Sequence, residues 1–501
     1  MNNHYSNHCS IFQLTEHNRE SYTYPAFLCF NDFNCFEQGG SMKKLGFLLL
    51  FALIGSASSV YASGLSIPEQ GAAAMGLSAS MTARSQDLSA IFYNPAGLDY
   101  VQGTEVFLGL TPIIPIHKFE SATVSDEAVK NTFLPPQVYF AHRSSSKVVW
   151  GVGIYSPFGL GTDWGDTWTG RYTSTSAQIT TVFFNPTASI QFNKMVTFGL
   201  GLSFVYSNAT IEKKVDTGLQ LYSSLKNPAV IANTVYDTKF SLKGEGGGFN
   251  YDLGLLLKPS EKIQFGISYR AKTDLKYKKG TAYFYLPETV SSDKATNTAL
   301  LNGLKAKFPF SQNGKTTLHL PSMLNFGLLC KFTDSWDASA DVNLVGWSSY
   351  DQLVIDLSKQ LPAAQIVQDK DWKNTTTYRL GTSYDWNNSL VLRGGLLYDQ
   401  NPVPDATFDA QLPDANRTGF SAGFGYTVSG VTFDFSYMFL KFASRDKNDF
   451  VGYTDVAPPL TVVDATDMNT LNGLVKGTYP VANGTYKSSA NLFSVSASYK
   501  F

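Results

Sequence analysis

Apolar and polar positions alternate with a period of two along much of this chain. The last nine residues show it most clearly, because Ser494, Ser496, Ser498 and Lys500 separate five apolar side chains that end at Phe501. A β-strand points successive side chains to opposite faces, so this segment predicts a strand with one apolar and one polar face. The same alternation recurs at 198–206, 249–258, 263–270, 324–332, 337–344 and 432–439. The pattern therefore predicts an all-β fold.

The residue types on the two faces distinguish a membrane protein from a soluble β-sandwich, which also alternates. Large aromatic residues occupy one face, whereas Gly, Ser and ionised residues such as Asp252, Arg270 and Asp341 fall mid-strand on the other. In a transmembrane barrel the aromatic face contacts lipid and the polar face lines a wet lumen. The sheet must also close, because an open edge in lipid would leave backbone polar groups unpaired. We therefore predict a transmembrane antiparallel β-barrel.

Short and long connections alternate between the predicted strands. Short ones, such as 193–194 and 429–430, are typical of periplasmic turns, and long ones, such as 216–245 and 286–316, of extracellular loops. The count is about fourteen strands, an even number as expected of a bacterial barrel. The strands are expected near 104–117, 134–143, 147–157, 175–192, 195–214, 246–258, 262–285, 317–332, 336–355, 374–385, 389–400, 417–428, 431–442 and 489–501.

Composition agrees with this architecture and argues against other classes. Charged residues make up 16% of the 501 residues and aromatic residues 14%, whereas about 25% of the residues of a typical soluble domain are charged. The formal net charge of −1 provides no broad basic surface for nucleic acid. We therefore expect no nucleic-acid partner.

An apolar run at 45–54 predicts a secretory signal peptide. It is too short for a transmembrane helix, which needs about 20 residues. It follows a Met-Lys-Lys start at Met42 and precedes a small-residue cleavage site that ends at Ala62. We expect the signal peptide at 42–62 and interpret residues 1–41 as a non-native upstream extension.

Residues 63–103 precede the first predicted strand and do not alternate. They contain several glycines and the run Ala72-Ala73-Ala74. A barrel of this size encloses space that must be filled or left as a channel. The residues alone leave two alternatives for this segment, a periplasmic tail or a plug folded inside the barrel.

The motif Tyr93-Asn94-Pro95-Ala96-Gly97-Leu98 resembles the hatch of the FadL family, which are outer-membrane transporters of long-chain fatty acids and other hydrophobic compounds. Further matches follow in order through 63–501: Pro157-Phe158-Gly159-Leu160, Trp164, Trp168, Gly170-Arg171-Tyr172, Gly248-Phe249-Asn250, Tyr269-Arg270, Leu320-Pro321, Trp347-Ser348-Ser349-Tyr350, and Tyr398-Asp399 before Pro402-Val403-Pro404. The resemblance implies a bacterial outer-membrane location and a barrel (104–501) plugged by an N-terminal hatch (63–103).

The resemblance also implies that ligand is captured by the loops and released through the barrel wall. An apolar loop groove would be formed by Leu219, Leu225, Leu300, Leu304 and Phe308, although these side chains could equally pack the loops together. A lateral gap is expected at Ser156, Pro157, Phe158 and Gly159, because Pro and Gly disrupt a strand. The alternative is that the strand simply ends there.

Inside the barrel the resemblance implies ligand contacts at Asn94, whose amide can donate to a carboxylate, and at Asp399. A carboxylate ligand also requires a cation, and Lys213 with either Lys370 or Lys373 lies near the basic positions of the family. We assign Lys213 and Lys373 as the cations that bind the carboxylate. The alternative is that both are solvated residues at strand ends.

These features predict passive uptake of long-chain fatty acids or similar hydrophobic molecules, without a cofactor or metal. The alternatives are an aromatic-hydrocarbon channel of the same family and, in a different class, a general porin. An enzyme is not expected, because His117, His142 and His319 lie in no visible catalytic or metal-ligand spacing. Expected partners are the hydrophobic ligand, outer-membrane lipid and, through the C-terminal strand, the barrel-assembly machinery. We expect a monomer.

Overall fold

The computed structural model describes residues 64–359, 364–448 and 482–501. The predicted extension 1–41 and signal peptide 42–62 lie outside these residues. In the described segments, no helix has the length and apolar character needed to cross a membrane. The main feature of the described chain is one large antiparallel β-sheet.

Fourteen strands form this sheet in the part of the chain that the structure describes, and eight of them consist of two segments. They are β1 (Thr104–Leu110 and Ile113–Glu120), β2 (Ser125–Glu127 and Pro136–Arg143), β3 (Val148–Tyr155 and Gly159–Asp163), β4 (Ser176–Gln191), β5 (Val196–Asp216), β6 (Asp237–Ser260), β7 (Ile263–Arg270 and Thr273–Tyr285), β8 (Ser311–Leu320 and Met323–Lys331), β9 (Trp336–Val345 and Gln352–Leu357), β10 (Gln365–Asp369 and Thr375–Asp385), β11 (Leu390–Asp399), β12 (Arg417–Val428), β13 (Val431–Phe442 and Arg445–Lys447) and β14 (Gly484–Lys500).

Each strand pairs with the next one along the chain, and the first pairs with the last. Val106 of β1 lies opposite Tyr499 of β14, and this ladder closes the sheet into a barrel. Closure pairs the backbone N–H and C=O groups that an open sheet edge would leave without partners in lipid. The predicted closed antiparallel barrel of fourteen strands is confirmed.

Four α-helices lie in the described connections: α1 (Ala72–Gly76), α2 (Ala90–Tyr93), α3 (Thr217–Leu225) and α4 (Lys294–Lys307). Short 3-10 helices occupy Pro95–Tyr100, Pro228–Val230, Thr234–Tyr236 and Trp347–Ser349. Helices α3 and α4 lie in long connections at the extracellular end. Asp216 and Asp293 cap their N-termini by accepting from the backbone N–H groups of Leu219 and Thr296.

The two faces of the sheet differ as the alternation predicts. On β5, Leu202, Phe204 and Tyr206 point outward and are about half exposed, whereas Ser203 and Ser207 are buried. Outward aromatic pairs such as Phe204 and Phe249, with ring centroids 5.2 Å apart, belong to an apolar band that suits contact with lipid.

Residues 64–103 lie inside the barrel and bond to strands on several sides of it. The Thr82 N–H donates to Asp341 of β9 at 2.8 Å, the Ser78 N–H donates to Ser421 of β12 at 3.0 Å, and Ser268 of β7 donates to the Tyr93 carbonyl at 2.7 Å. Because these strands surround the lumen, the segment occupies it.

Bare backbone on the inner wall allows this close packing. A Cβ atom added at Gly254 of β6 would lie 2.2 Å from the Asn94 side-chain oxygen, and one added at Gly266 of β7 would lie 1.9 Å from the Thr82 carbonyl. Neither separation is sterically allowed, so glycine is required at both positions. Inward glycines therefore mark where the wall receives the N-terminal segment.

Buried charge pairs also attach the segment to the wall. The Arg84 guanidinium, fully buried, lies 2.6 Å from Asp337 of β9, and its Nε donates to Ser339 at 2.9 Å. Breaking a buried pair leaves an uncompensated charge and typically costs about 3–5 kcal/mol. The Arg84–Asp337 pair is therefore a strong attachment.

We expect Arg84→Met to loosen residues 64–103 while the barrel itself still assembles. Asp337 would lose its cation, and the lumen would open more often. Conductance across planar bilayers should rise above the unmodified protein's baseline. Lys118→Met is the control, because Lys118 and Glu127 form a pair in which both side chains are about half exposed and such pairs contribute about 0–1 kcal/mol. An unchanged baseline for Arg84→Met would contradict the prediction.

Candidate functional site

A largely apolar cavity lies inside the extracellular half of the barrel, between the wall and the start of the N-terminal segment. It has an empty volume of about 950 Å³, open mouth included. Its apolar lining consists of Leu65, Ala177, Ile179, Ala209, Ile211, Leu242, Leu318, Leu353, Ile355, Trp372, Val403 and Leu412. We call this space the apolar cavity. Apolar concave sites with few polar groups are typical binding sites for hydrophobic ligands.

A row of small residues across four neighbouring strands creates the space. Ala209 of β5 lies opposite Gly244 of β6, Gly244 lies opposite Gly280 of β7, and Gly280 lies opposite Gly314 of β8. At this level four strands contribute nothing larger than a methyl group to the interior. The apolar cavity lies where the wall is bare.

The apolar cavity has one buried cation in its lining. The Lys370 ammonium is 8% exposed and lies 3.0 Å from the Asp409 carboxylate, which is 26% exposed. Lys370 lies in the break between the two segments of β10, on the extracellular side of the lipid-facing band. Burial alone would lower the pKa of Lys370, but the Asp409 carboxylate outweighs burial and raises it above 10.5. The ammonium is therefore charged at neutral pH.

The N-terminal segment separates the apolar cavity from the wall between β2 and β3. The Ile67 N–H donates to the Pro157 carbonyl at 2.8 Å, and the Gly159 N–H donates to the Leu65 carbonyl at 2.9 Å. The Gly64 N–H donates to Asp414 at 2.9 Å. Residues 64–67 thus form a short strand-like partition, with Leu65 facing the apolar cavity.

The wall itself is interrupted on the other side of this partition. The ladder between β2 and β3 ends at Val138 and Ile154, and the next backbone bond, 2.7 Å long, joins the Val129 N–H to the Asp163 carbonyl. A cavity with an empty volume of about 1430 Å³, open solvent included, occupies the interval. We call it the wall cavity; its lining includes Ser66, Ile67, Leu134, Pro136, Ser156, Gly159 and Thr180.

The four residues predicted for the lateral gap lie together at this interruption. β3 breaks between Tyr155 and Gly159, and Phe158 turns inward, where it is buried against Trp347. Ser156 and Gly159 line the wall cavity. The lining includes inner residues such as Ile67 and outward residues such as Thr180, so the cavity crosses the wall. Lateral release of a ligand here stays a prediction.

Ligand contact by Asn94 stays a prediction, although the Asn94 side chain is already hydrogen-bonded within the protein. Its amide donates to the carbonyls of Thr82 at 2.8 Å and Leu255 at 3.1 Å, and its oxygen accepts from the Ala96 N–H. Both N–H groups are therefore already used, and Asn94 lines neither the apolar cavity nor the wall cavity. It fixes the N-terminal segment to the wall and caps a 3-10 helix.

The ligand-binding assignment of Lys373 also stays a prediction; its side chain is exposed, and Lys370 lines the apolar cavity instead. Lys213 is buried on the inner face of β5, two residues beyond Ile211, but it is not part of the lining. Asp399 is buried elsewhere, in a smaller cavity with Arg379, and accepts from Thr377 at 2.8 Å.

The predicted loop groove is not formed as an open surface. Leu219, Leu304 and Phe308 are buried, and Leu225 and Leu300 pack against the same core while remaining partly exposed. Lys307 of α4 also donates to Gln220 of α3 at 2.8 Å, so the two helices are bonded to each other. The alternative interpretation, in which these side chains pack the loops together, describes the three buried residues.

Asp409 and the row of small residues in the cavity wall were not identified from the sequence, and Lys370 was considered there only as the alternative to Lys373. The row from Ala209 to Gly314 and the Lys370–Asp409 pair carry the cavity's shape and charge. The sequence did contain one usable signal for the row, which is that small residues occupy inward positions on neighbouring strands. Over the ranges that the structure describes, no group of His, Cys, Asp or Glu could hold a metal ion.

A family model described as outer membrane protein transport protein (OMPP1/FadL/TodX) matches residues 53–501. The chain belongs to the OMPP1/FadL/TodX family. This membership confirms the resemblance noted from the sequence and the outer-membrane location, and it makes the chain an outer-membrane transport protein rather than a member of an enzyme family.

Curated relatives of this FadL-family chain cover most of its length. It is 26% identical over 415 residues to a putative outer membrane protein of Neisseria meningitidis serogroup B, covering 77% of this chain and 87% of that one. It is 25% identical over 386 residues to the long-chain fatty acid transport protein of Escherichia coli K12, covering 73% and 82%.

Solved structures share the fold. A Pseudomonas aeruginosa FadL homologue superposes with a TM-score of 0.70 at 18% identity, covering 88% of this chain and all of that one. The toluene transporter TodX of Pseudomonas putida gives a TM-score of 0.62 at 15% identity, covering 88% and 99%. At these identities the comparison establishes the FadL-family barrel and leaves the ligand to the geometry of the cavity.

Proposed function

We propose that this protein takes up long-chain fatty acids across the outer membrane by passive diffusion through two adjacent cavities. The observation that carries the proposal is a mostly apolar cavity with an empty volume of about 950 Å³, open mouth included, whose lining contains the buried ammonium of Lys370 and the exposed residues Lys243 and Lys315. Burial of an acyl chain gains about 0.8 kcal/mol per CH₂. A carboxylate placed at Lys370 would replace or share the contact with Asp409. Relatives named as long-chain fatty acid transport proteins support this choice.

The proposed route runs from the apolar cavity through the wall cavity into the outer leaflet. Both cavities are lined by Ile179 and Leu412, and residues 64–67 stand between them. Displacement of that short segment would join the two spaces. The rest of the N-terminal segment acts as the hatch, because it occupies the lumen and blocks a direct path to the periplasm. Movement down a concentration gradient needs no cofactor.

The aromatic-hydrocarbon alternative shares the fold, as the likeness to toluene transporters shows. A hydrocarbon has no charge, so it would gain nothing from a buried ammonium, whose desolvation is costly. Lys370 therefore favours a carboxylate ligand. The porin alternative requires an open lumen, and residues 64–103 fill it.

Removing the charge pair should separate the two ligand classes. In the double variant Lys370→Met/Asp409→Asn, we expect the affinity for oleate to fall about 10- to 100-fold, since a hydrogen bond to a charged group contributes about 1.5–3 kcal/mol. Affinity for the matched oleyl alcohol should change less than about twofold, because the alcohol has no carboxylate to bind Lys370. Isothermal titration in detergent micelles measures both values.

Lys373→Met is the matched control, because Lys373 is exposed and lies three residues from Lys370. It should leave both affinities unchanged. Equal losses for the acid and the alcohol in the double variant would show that Lys370 does not select the carboxylate. Binding of toluene without binding of oleate by the unmodified protein would favour the hydrocarbon alternative.

A further inference from the structure

Five lysines are concentrated on the outer face of three neighbouring strands. They are Lys243 of β6, Lys276, Lys278 and Lys279 of β7, and Lys315 of β8, and all five are exposed. None of them forms an ion pair or a side-chain hydrogen bond with another residue of the described segments. We call this surface the basic wall patch.

A β-bulge concentrates the charge further. Tyr277 lies opposite Thr316 and Gly280 lies opposite Gly314, so Lys278 and Lys279 together face Lys315 on β8. Like charges directly opposite each other destabilise a sheet, and bulges re-aim side chains. The arrangement is unfavourable on its own and would be stabilised by an anion.

The patch lies just beyond the lipid-facing band. Phe249 of β6 is 75% exposed, and the nearby rings of Tyr251 and Tyr269 are 6.1 Å apart, as in the aromatic girdle of a barrel. Lys276 lies opposite Gly247, two residues beyond Phe249, which is about 7 Å along the strand. The lysines begin where lipid chains give way to headgroups.

A cleft in the outer surface provides room for a headgroup beside these lysines. It has an empty volume of about 950 Å³, and its lining includes Lys276, Lys278, Lys315, Thr317 and Gln352. Polar side chains face the space together with Tyr277 and Val354. The cleft shares Tyr277, Lys315 and Thr316 with the lining of the apolar cavity, which lies on the inner side of the wall.

Acidic residues near the patch do not cancel its charge. Asp274 is already paired with His319 at 2.6 Å and Lys272 at 3.5 Å. Asp351 and Asp356 also line the cleft, and Asp356 accepts from Gln365 at 2.6 Å. Glu245 lies opposite Lys279 across the β6–β7 ladder. The five lysines outnumber the carboxylates that lack a cationic partner.

We propose that the basic wall patch binds the phosphate groups of a glycolipid in the outer leaflet of the outer membrane. Ammonium groups bind phosphate as point charges, and basic clusters at the membrane surface recognise anionic headgroups. The acyl chains of the same lipid would lie on the apolar band below, next to Phe249. The patch is on β6–β8, whereas the wall cavity lies between β2 and β3, so a lipid held here leaves the wall cavity free.

Native mass spectrometry of the purified full-length barrel with bisphosphorylated lipid A as the probe tests this proposal. The patch variant carries Lys276→Gln, Lys278→Gln, Lys279→Gln and Lys315→Gln. We expect the patch variant to bind bisphosphorylated lipid A at least about tenfold more weakly than the unmodified protein, because each surface lysine contributes measurably to anionic-lipid attraction. Monophosphorylated lipid A should bind the unmodified protein with intermediate affinity.

The matched control removes four exposed lysines from the short turns at the opposite end of the barrel: Lys147→Gln, Lys194→Gln, Lys262→Gln and Lys331→Gln. It has the same charge change and should retain binding. Heat-dependent mobility in gels verifies that both variants are folded. Equal weakening in the two variants, or equal binding of a lipid A without phosphates, would overturn the proposal. Binding of inorganic phosphate at the patch without binding of lipid A would overturn the assignment to a lipid.

Discussion

Gly314→Leu should weaken oleate binding roughly 200-fold. A Cβ atom at Gly314 would lie 3.6 Å from both Ile355 and Leu357, an ordinary van der Waals contact, and Gly314 lines the apolar cavity, so we expect a leucine to extend into it. Its four carbons would exclude about four CH₂ groups of the ligand, at about 0.8 kcal/mol each, or about 3 kcal/mol in total. Titration of oleate into the purified variant measures the loss.

Two further variants isolate the cause of this loss. Gly314→Ala adds one carbon at the same position and should cost about fivefold or less in affinity, in line with one CH₂. Gly303→Leu makes the same exchange on α4, where an added Cβ meets nothing within 4 Å, and should bind oleate normally. Full affinity in Gly314→Leu would mean that the ligand does not occupy the apolar cavity.

Gly159→Arg should stop delivery of the ligand while leaving binding intact. Gly159 lines the wall cavity but not the apolar cavity. An added Cβ would lie 2.7 Å from the terminal carbon of Ile67, a side-chain end that can shift. The arginine would then fill the passage, and an obstacle of about 3 kcal/mol slows passage about 100-fold. Uptake of labelled oleate by cells that lack another transporter measures the rate.

Binding and assembly are the controls for the Gly159→Arg variant. Oleate affinity should stay within about twofold of the unmodified value, since the apolar cavity is untouched. Gly303→Arg places the same side chain on the surface of α4 and should transport normally. Normal uptake by a correctly assembled Gly159→Arg barrel would eliminate the lateral route and leave a path through the lumen.

The sequence predicted the barrel accurately because the signal is local. Alternation along β5 and β14 identifies the outward face directly, and the same strands expose Phe204 and Phe493 in the structure. The break in β3 was also visible, since Pro157 and Gly159 both disrupt a strand. In the structure the strand breaks at this point, and Phe158 turns inward and is buried.

The interior was harder to predict because neighbouring positions differ in ways that only packing decides. Lys370 and Lys373 are three residues apart, yet the break in β10 buries one and exposes the other. Asn94 has an amide suited to a carboxylate, but the wall of β6 supplies the Leu255 carbonyl as its partner. Leu304 and Phe308 have the composition of a surface groove and are buried by the loops themselves.

The sequence by itself determined the membrane class, the number of strands and the face that each strand turns toward lipid, because a period of two is a property of the backbone. Only the tertiary structure decided where the cavity lies. Ala209, Gly244, Gly280 and Gly314 are more than thirty residues apart from one another in the chain, and they form one bare row only because four strands pair in a particular register. Register depends on contacts between strands, which no single strand's pattern contains.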